Sequence, residues 1–303
     1  MSAIAEGGVA VVTGAASGIG YALSEEALRR GMKVVVSDLR EEALAEAAQK
    51  LTGQGADVLA VRADVTSEAD IVALRDKALS KFGKVNLLVN NAGAFVGGLA
   101  WETSAAQMDW IVDLNFKSVA HGLRTFVPQM IAQGDECHVM TVASAAGLSV
   151  YPGYATYSPT KHAALAITEA LYLDLAVEGI DTIGVTVIMP GMVRTDIMNP
   201  EKVSPAALGL DREARHANAT VRGVEATMTS ALDGAMPPEE LARCVFDAAD
   251  AGELYILPNH DAEGPTSMVK AIANGRATGT NPWPAIMGST MTRMFGKTEP
   301  ADT

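Results

Sequence analysis

The stretch VAVVTGAASGIGYAL, Val9–Leu23, joins a β-branched run, a glycine-rich turn and the start of an amphipathic helix. Its glycines have the spacing G-x-x-x-G-x-G. Glycines at such a turn let the backbone approach a pyrophosphate closely, and the helix start offers free N–H groups and a partial positive charge to an anion. The stretch therefore predicts a strand–turn–helix unit with an anion site. Its candidate binding residues are Gly14, Ser17, Gly18, Ile19 and Gly20.

Short β-branched runs alternate with helical patterns along most of the chain. The runs are almost continuously apolar, which indicates strands buried on both faces. Alternation of such strands with helices predicts an α/β fold with a doubly wound, mostly parallel sheet. About seven strands are expected, at Val9–Gly14, Lys33–Asp38, Asp57–Asp64, Asn86–Gly93, His138–Ser144, Ile183–Gly191 and Glu253–Pro258.

The 303 residues are expected to form one domain, because no repeat or linker divides the core. We assign the core to residues 8–258, an irregular, partly helical insertion to about 196–236, and a C-terminal extension to 259–303. A helix is expected at Pro238–Ala249. Within the extension, Asn281–Gly288 has the clearest structural pattern.

The composition excludes several classes of partner. A formal net charge of −13, with no basic stripe, argues against nucleic acid and against anionic membrane surfaces. No basic leader or apolar run of about 20 residues is present, so the chain is predicted to be cytoplasmic. Cys137 and Cys244 are predicted to be small core residues in a reducing compartment. The histidines lack metal-ligand spacing, and no metal is expected.

Acidic residues follow the second and third predicted strands. Asp38 stands where a carboxylate can accept hydrogen bonds from the ribose hydroxyls of an adenosine. It would repel a 2′-phosphate, which favours NAD over NADP. Arg40 is a competing signal, since it can pair with that phosphate, although a solvated position at the start of the next helix is the simpler interpretation. Asp64, with Val65, either contacts the adenine amino group or forms a turn, and the two roles are compatible.

Tyr157 and Lys161 lie four residues apart in YATYSPTKHAA, Tyr154–Ala164. On a helix this spacing places both side chains on one face, where the ammonium favours the phenolate and lowers the pKa of the tyrosine. Taken alone, the pair is more typical of an ordinary helix surface. Pro159 is expected in the first two turns of a helix that starts near Pro152, where a missing N–H costs least.

The chain carries further motifs in a fixed order, and together they resemble those of the short-chain dehydrogenase/reductase family. The match runs from about Val9 to Thr195 and continues weakly to Pro258. It implies a Rossmann fold, hydride transfer between a nicotinamide cofactor and a secondary alcohol or ketone, and a homodimer or homotetramer paired through the helices that carry Asn115 and Tyr157. The motifs are T-G-x-x-x-G-I-G at Thr13–Gly20, N-N-A-G at Asn90–Gly93, Asn115, Ser144, Y-x-x-x-K at Tyr157–Lys161 and P-G-x-V-x-T at Pro190–Thr195.

The resemblance also implies a role for each residue of the site. Tyr157 is the general acid/base, and Lys161 lowers its pKa and binds the nicotinamide ribose. Ser144 holds the substrate oxygen, and Asn115 interrupts its helix and holds a water that relays the proton to Lys161. The remaining implied cofactor contacts are Asn91, Ala92, Gly93, Pro190, Gly191, Val193 and Thr195. Of these, Val193 and Thr195 would bind the carboxamide of the nicotinamide.

The segments that set substrate choice in that family are apolar in this chain. The one basic residue noted in these segments is Arg194, which lies among the cofactor contacts. Their methionines suit a roomy, irregular pocket. A bulky, hydrophobic secondary alcohol or ketone is expected. A short likeness of Glu253–Ile272 to bacterial aryl-alcohol dehydrogenases acting on lignin aryl ethers favours a benzylic alcohol. Besides Ser144, the candidate substrate contacts are Phe95, Tyr151, Tyr154, Met192 and Met198.

Other functions remain as alternatives. The same residues suit an NADP-dependent ketone or 3-oxoacyl-type reductase. A non-catalytic, dinucleotide-binding regulatory protein is a further alternative, which the intact Ser144, Tyr157 and Lys161 disfavour. A hydrolase of the G-x-S-x-G type is not indicated, because that motif is absent from the sequence.

Overall fold

A computed structural model of the chain describes residues 3–53, 56–210, 212–232, 234–258 and 263–288. These residues form a seven-stranded sheet in the order β3-β2-β1-β4-β5-β6-β7, and every neighbouring pair of strands is parallel. The predicted doubly wound parallel sheet is therefore confirmed. Its strands are β1 (Val9–Thr13), β2 (Lys33–Asp38), β3 (Val58–Arg62), β4 (Leu87–Asn90), β5 (Cys137–Val142), β6 (Ile183–Ile188) and β7 (Tyr255–Ile256).

Helices connect the strands and cover both faces of the sheet. Those before β6 are α1 (Gly18–Arg29), α2 (Glu41–Thr52), α3 (Glu68–Phe82), α4 (Ala105–Val112), a π-helical turn (Asp113–Lys117), α5 (Ser118–Gln133), a 3₁₀ turn (Ala145–Gly147) and α6 (Tyr157–Val177). After β6 come two 3₁₀ turns (Pro200–Lys202 and Ala206–Leu208), α7 (Arg212–His216), α8 (Ala219–Leu232), α9 (Pro238–Asp250) and α10 (Glu263–Thr278).

The two faces of the sheet bury separate hydrophobic clusters. Successive side chains of a strand point to opposite faces, so Ala10 and Val12 of β1 pack with α1 and α9, while Val9 and Val11 pack with α3 and α5. All four are fully buried. This double burial explains why the strands are almost continuously apolar in sequence.

The strand order reverses between β1 and β4, which places a crevice at the carboxyl ends of these strands. The glycine turn follows β1, Asn91 follows β4, and Ser144 follows β5. Because all strands are parallel, these three loops meet at one edge of the sheet. The fold therefore gathers the sequence motifs at a single place.

The helix of Tyr157 differs from the prediction, whereas the helix that carries Asn115 is interrupted as expected. The helix of Tyr157 begins at that residue and not near Pro152, so Pro159 is its third residue, where the backbone N–H has no partner within the helix. The helical stretch that carries Asn115 is divided into α4, a π-helical turn and α5. The interruption expected at Asn115 is thus present as a local widening of the helix.

The insertion predicted at about residues 196–236 is closed at its base by backbone contacts. Val193 pairs with Met236 in an isolated bridge, and Arg194 N donates to Met236 O at 3.0 Å. Between them lie the short 3₁₀ turns, α7 and α8. The insertion therefore leaves and re-enters the core at one point, next to the carboxyl end of β6.

The two cysteines differ in burial. Cys137 lies buried in β5, as predicted. The prediction that Cys244 is a core residue is wrong, because it is on the exposed face of α9, whose opposite face is buried. Among the described residues, no cluster of His, Cys, Asp or Glu could hold a metal ion, and no helix is long and apolar enough to cross a membrane.

Candidate active site

The glycine turn after β1 depends on close packing that only glycine allows. Gly14 and Gly18 have φ angles of 64° and 56°, in the left-handed region. A Cβ on Gly20 would lie 2.3 Å from Gly14 O, so a side chain there would push α1 away from β1. A cradle shaped by absent side chains suits the close backbone approach of a pyrophosphate, which the start of α1 would bind electrostatically.

Asn91, which follows β4, stabilises this turn by hydrogen bonds. Its amide nitrogen donates to Thr13 O at 2.8 Å and to Gly14 O at 3.1 Å, while its backbone N donates to Thr13 Oγ1 at 3.0 Å. The side chain predicted as a cofactor contact thus also fixes the shape of the turn. Ala92 N shares the same Thr13 hydroxyl at 3.2 Å, so the two loops are held as one unit.

Asp38 and Arg40 form an ion pair at the end of β2. Arg40 Nε lies 3.0 Å from Asp38 Oδ1, and Arg40 Nη2 donates to Asp38 Oδ2 at 3.2 Å and to Ser17 Oγ at 3.1 Å. The simpler interpretation of Arg40 as a solvated helix residue is therefore wrong. Burial of Asp38 at 6% exposure favours this pairing, since a lone buried carboxylate would be costly.

Asp64 forms the turn that its sequence suggested. Its Oδ1 accepts hydrogen bonds from Thr66 N at 2.9 Å and from Thr66 Oγ1 at 2.7 Å. Asp64 and Val65 both line the cleft described below. Their position leaves the suggested adenine contact compatible with the turn.

Ser144, Tyr157 and Lys161 meet at the carboxyl ends of β4 and β5. Tyr157 and Lys161 occupy the first and second turns of α6, and both are buried. Lys161 Nζ donates to Val142 O at 2.9 Å and lies 5.7 Å from the centroid of the Tyr157 ring. Ser144 Oγ accepts from Ala146 N at 3.1 Å, and its hydroxyl favours the ionised form of Tyr157 and so acts to lower its pKa. These three side chains therefore form a compact polar group within apolar surroundings.

Burial dominates the protonation of this group. It raises the pKa of Tyr157 to about 12, although the Ser144 hydroxyl acts in the opposite direction. It also lowers the pKa of Lys161 to about 8. Burial therefore outweighs the lowering expected from the neighbouring ammonium, and the pKa of Tyr157 shifts in the direction opposite to the prediction. At neutral pH the phenol is protonated and can donate a proton.

Asn115 uses its side chain to hold the loop after β4. Its Oδ1 accepts from Ala94 N at 3.0 Å, and its Nδ2 donates to Ala94 O at 3.0 Å and to Thr160 Oγ1 at 3.1 Å. A Cβ on Gly93 would lie 3.0 Å from Asn115 Oδ1 and 3.4 Å from Lys161 Nζ. Asn115 therefore joins this loop to α6 directly beside Lys161, while its part in a water relay stays a prediction.

A cleft of about 990 Å³ brings most of the predicted site residues together. Of all those predicted, Gly20, Asn115 and Met198 do not line it. Gly20 packs against Gly14 within the turn, and Asn115 holds the adjoining loop. Met198 belongs to the buried apolar cluster that also contains Phe95 and Tyr157.

Four aromatic rings form one wall of this cleft. Phe95 has its ring centroid 5.0 Å from that of Tyr154 and 5.2 Å from that of Tyr157, in edge-to-face contact. Tyr151 lies 5.2 Å from Tyr154, and the Tyr154 hydroxyl donates to Met228 Sδ at 2.8 Å. These contacts fix an apolar, aromatic surface beside the phenol of Tyr157.

Comparison with known proteins identifies the chain. A model of the short chain dehydrogenase family matches residues 8–205, more than half of the chain. The chain belongs to the short chain dehydrogenase family. It is an oxidoreductase that acts on alcohol or ketone groups.

Individual relatives of this short chain dehydrogenase extend over most of its length. It is 36% identical over 250 residues to a CLA biosynthesis dehydrogenase/reductase from Lactiplantibacillus plantarum, covering 82% of this chain and 87% of the relative. It is 30% identical over 251 residues to the C alpha-dehydrogenase of Sphingobium sp. strain SYK-6, covering 82% and 80%. A solved short chain dehydrogenase/reductase from Burkholderia phymatum, in complex with NAD, matches with a TM-score of 0.86, 35% identity and full coverage of both chains.

The structure of this short chain dehydrogenase also adds cleft residues that the sequence analysis missed. Lys202 lines the cleft, contrary to the expectation that Arg194 is the one basic residue in this region, and its Nζ lies 2.5 Å from Asp196 Oδ2. The other additions include Thr227, Met228 and Ala231 of α8 and Ser267, Met268, Ala271, Ala285 and Ile286 of the extension. In α8, Thr227, Met228 and Ala231 have the spacing i, i+1, i+4, which places them on one face of the helix. This spacing is visible in the sequence and could have indicated that the three residues act together.

Proposed function

We propose that this single-domain chain is an NAD-dependent dehydrogenase of bulky, hydrophobic secondary alcohols, or a reductase of the matching ketones. Tyr157 acts as the general acid/base, and Ser144 holds the substrate oxygen. When bound, the dinucleotide accepts or supplies the hydride. The chain supplies the proton transfer, the orientation of the substrate and an apolar enclosure that excludes water.

One observation carries this proposal. A single cleft contains the proton-transfer group of Ser144, Tyr157 and Lys161 together with Asp38 and the glycine turn. Asp38 is the last residue of β2, and Ser144 follows β5, three strands away in the sheet. Strands in a sheet are about 4.8 Å apart, so the two ends are separated by roughly 14 Å along the crevice. An extended dinucleotide spans such a distance with its adenosine ribose at Asp38 and its ring near Tyr157.

The aromatic wall supports an aryl substrate. Phe95, Tyr151 and Tyr154 present ring faces and edges beside the reacting group, and aromatic pairs favour these offset and edge-to-face contacts. Similarity to the C alpha-dehydrogenase of Sphingobium agrees with a benzylic alcohol. The substrate class is therefore an aromatic secondary alcohol whose carbinol carbon lies next to the ring.

Steady-state turnover tests the proposal. Acetophenone and butanone differ chiefly in the aromatic ring. The rate of reduction of each should be measured with NADH and with NADPH, and the rate of oxidation of the corresponding alcohols with NAD and with NADP. We expect acetophenone to have the higher kcat/KM by about tenfold or more, as expected for a ring that gains buried apolar contacts. Tight binding of NAD without turnover of any of these compounds would contradict the proposed substrate class and favour the regulatory alternative.

The pairing of Asp38 with Arg40 leads to a prediction about cofactor choice. Asp38→Asn removes the carboxylate charge but keeps the size of the side chain, so Arg40 is released toward a 2′-phosphate. The ratio of kcat/KM for NADP over NAD should rise by about tenfold to a hundredfold, since a charge-assisted hydrogen bond contributes roughly 1.5–3 kcal/mol. Adding Arg40→Ala should reverse this gain. A wild-type chain that already prefers NADP contradicts the assignment and favours the NADP-dependent ketone or 3-oxoacyl-type reductase.

We further propose that the chain forms a homodimer or homotetramer through α5 and α6. On α6, Leu173 and Val177 are 60% and 85% exposed and Tyr172 is also exposed, as is Ile131 on α5. Light scattering should give a molar mass two or four times that of one chain. Leu173→Glu combined with Val177→Glu should lower that mass, because like charges would then be buried at the interface. A monomeric wild-type chain contradicts this prediction.

A further inference from the structure

The C-terminal extension forms part of the cleft wall. Met268 and Ala271, one helical turn apart on α10, line the cleft together with Ile286 from the helical residues 283–288. They lie in the same cleft as Tyr151 and Met228, on the substrate side of the site. The extension therefore encloses the substrate region and does not merely follow the core.

Local contacts fold the extension back on itself. Thr280 N donates to Gly275 O at 3.0 Å, and Trp283 N donates to Asn281 Oδ1 at 3.1 Å. A Cβ on Gly275 would lie 2.7 Å from Pro282 Cδ, so glycine lets the returning chain pack directly on α10. This close packing fixes the position of residues 283–288 beside Met268.

A second cavity of about 210 Å³ lies on the other side of this wall. Tyr151, Met268 and Ile286 line both the large cleft and this side cavity. These three side chains therefore form a partition between the two spaces. The rest of the side cavity is apolar, and it is lined by Val150, Pro152, Trp283 and Met287.

We propose that the partition of Tyr151, Met268 and Ile286 selects substrates by length. The inference rests on the proposed function, because it assigns the far end of the substrate to this region of the cleft. A short aryl ketone fits in front of the partition, whereas a longer apolar chain must displace it to reach the side cavity. Met268 has a flexible, unbranched side chain, and Ile286 comes from a separate segment, so either can be shortened to open the passage.

Turnover of acetophenone and hexanophenone, which differ in the length of the acyl chain, tests the partition in the full-length protein. Met268→Ala and Ile286→Ala should each raise the ratio of kcat/KM for hexanophenone over acetophenone by about tenfold, the effect of one or two newly buried methylene groups. Lys270→Ala is the matched control, since Lys270 lies on the exposed face of α10 and should leave the ratio unchanged. An unchanged ratio in both partition variants, or an equal loss for both ketones, overturns the proposal.

A binding measurement separates this proposal from the proposed function. Trp283 lines the side cavity, so its fluorescence in a Trp101→Phe, Trp110→Phe chain reports a ligand that enters there. Hexanophenone, titrated with and without NAD, should change the emission more strongly after Met268→Ala. If the wild type reduces no ketone but this change occurs, the catalytic proposal fails and the partition stands. If the ketones are reduced but the emission does not respond, the partition is wrong.

Discussion

Tyr157→Phe is expected to lower kcat/KM for ketone reduction by about a thousandfold, near the middle of the range that general acid–base catalysis contributes. The substitution removes one hydroxyl and keeps the ring that packs 5.2 Å from Phe95. Burial holds the pKa of Tyr157 at about 12 in the free chain, so the phenol is the proton donor at neutral pH. Phenylalanine has no proton to give, and the loss should appear in kcat.

The control for this prediction is Tyr154→Phe, a second phenol in the same aromatic wall. Its hydroxyl donates to Met228 Sδ and not to Ser144, so its removal should change turnover by less than about tenfold, the effect of one neutral hydrogen bond. Binding of NADH, followed by fluorescence, should be similar in both variants and in the wild type. Equal losses in the two variants would show that the aromatic wall, and not the phenol of Tyr157, governs turnover.

The sequence predicts the core of this site because parallel strands constrain it. Gly14, Asn91 and Ser144 each stand just after a buried strand, and parallel strands bring their carboxyl ends to one edge. The spacing of Tyr157 and Lys161 adds a helix face to that edge. Order along the chain is then enough to predict which residues meet, without knowledge of any distance between side chains.

Other features depend on contacts that no local pattern specifies. The periodicity of α8 shows that it has an apolar face, but not that Met228 packs against Tyr154 over the cleft. The same holds for Met268 on α10. The pKa of Tyr157 was predicted in the wrong direction because sequence spacing gives the neighbouring charge and not the depth of burial. Arg40 was misjudged for a related reason, since its pairing with Asp38 and Ser17 depends on the loop between them.

Lys161→Met should lower kcat/KM by about a hundredfold or more. The ammonium lies 5.7 Å from the centroid of the Tyr157 ring, and unit charges about 6 Å apart interact by roughly 3 kcal/mol at an effective dielectric constant of 20. Methionine keeps the volume of the stem but cannot stabilise the phenolate, so alcohol oxidation should lose most. Turnover of the alcohol across the pH range, compared with the wild type, measures the effect. A variant that retains wild-type rates would exclude Lys161 from catalysis.

The same substitution should change how stability depends on pH. Burial lowers the pKa of Lys161 to about 8, below its ordinary value of 10.5, so between these values the unfolded chain binds more protons than the folded one. Stability therefore rises with pH through this window, by about 3 kcal/mol over its full width. Tyr157 acts oppositely only above its ordinary value of 10.0, which sets the upper end of the measurement.

Urea unfolding of the cofactor-free protein at pH 7 and pH 10 isolates this contribution. The wild type should gain about 2–3 kcal/mol in unfolding free energy relative to Lys161→Met between the two values, because other titrating groups cancel in the difference. The bond to Val142 O is lost at both pH values, so it shifts the variant by a constant amount and leaves the slope unaffected. Parallel pH dependences would show that Lys161 is not held against a desolvation cost. A steeper rise of the unfolding free energy with pH in the wild type would mean that the fold holds a buried ammonium beside Tyr157 at a cost in stability. A group that destabilises the protein in this way is explained by its action on the phenol.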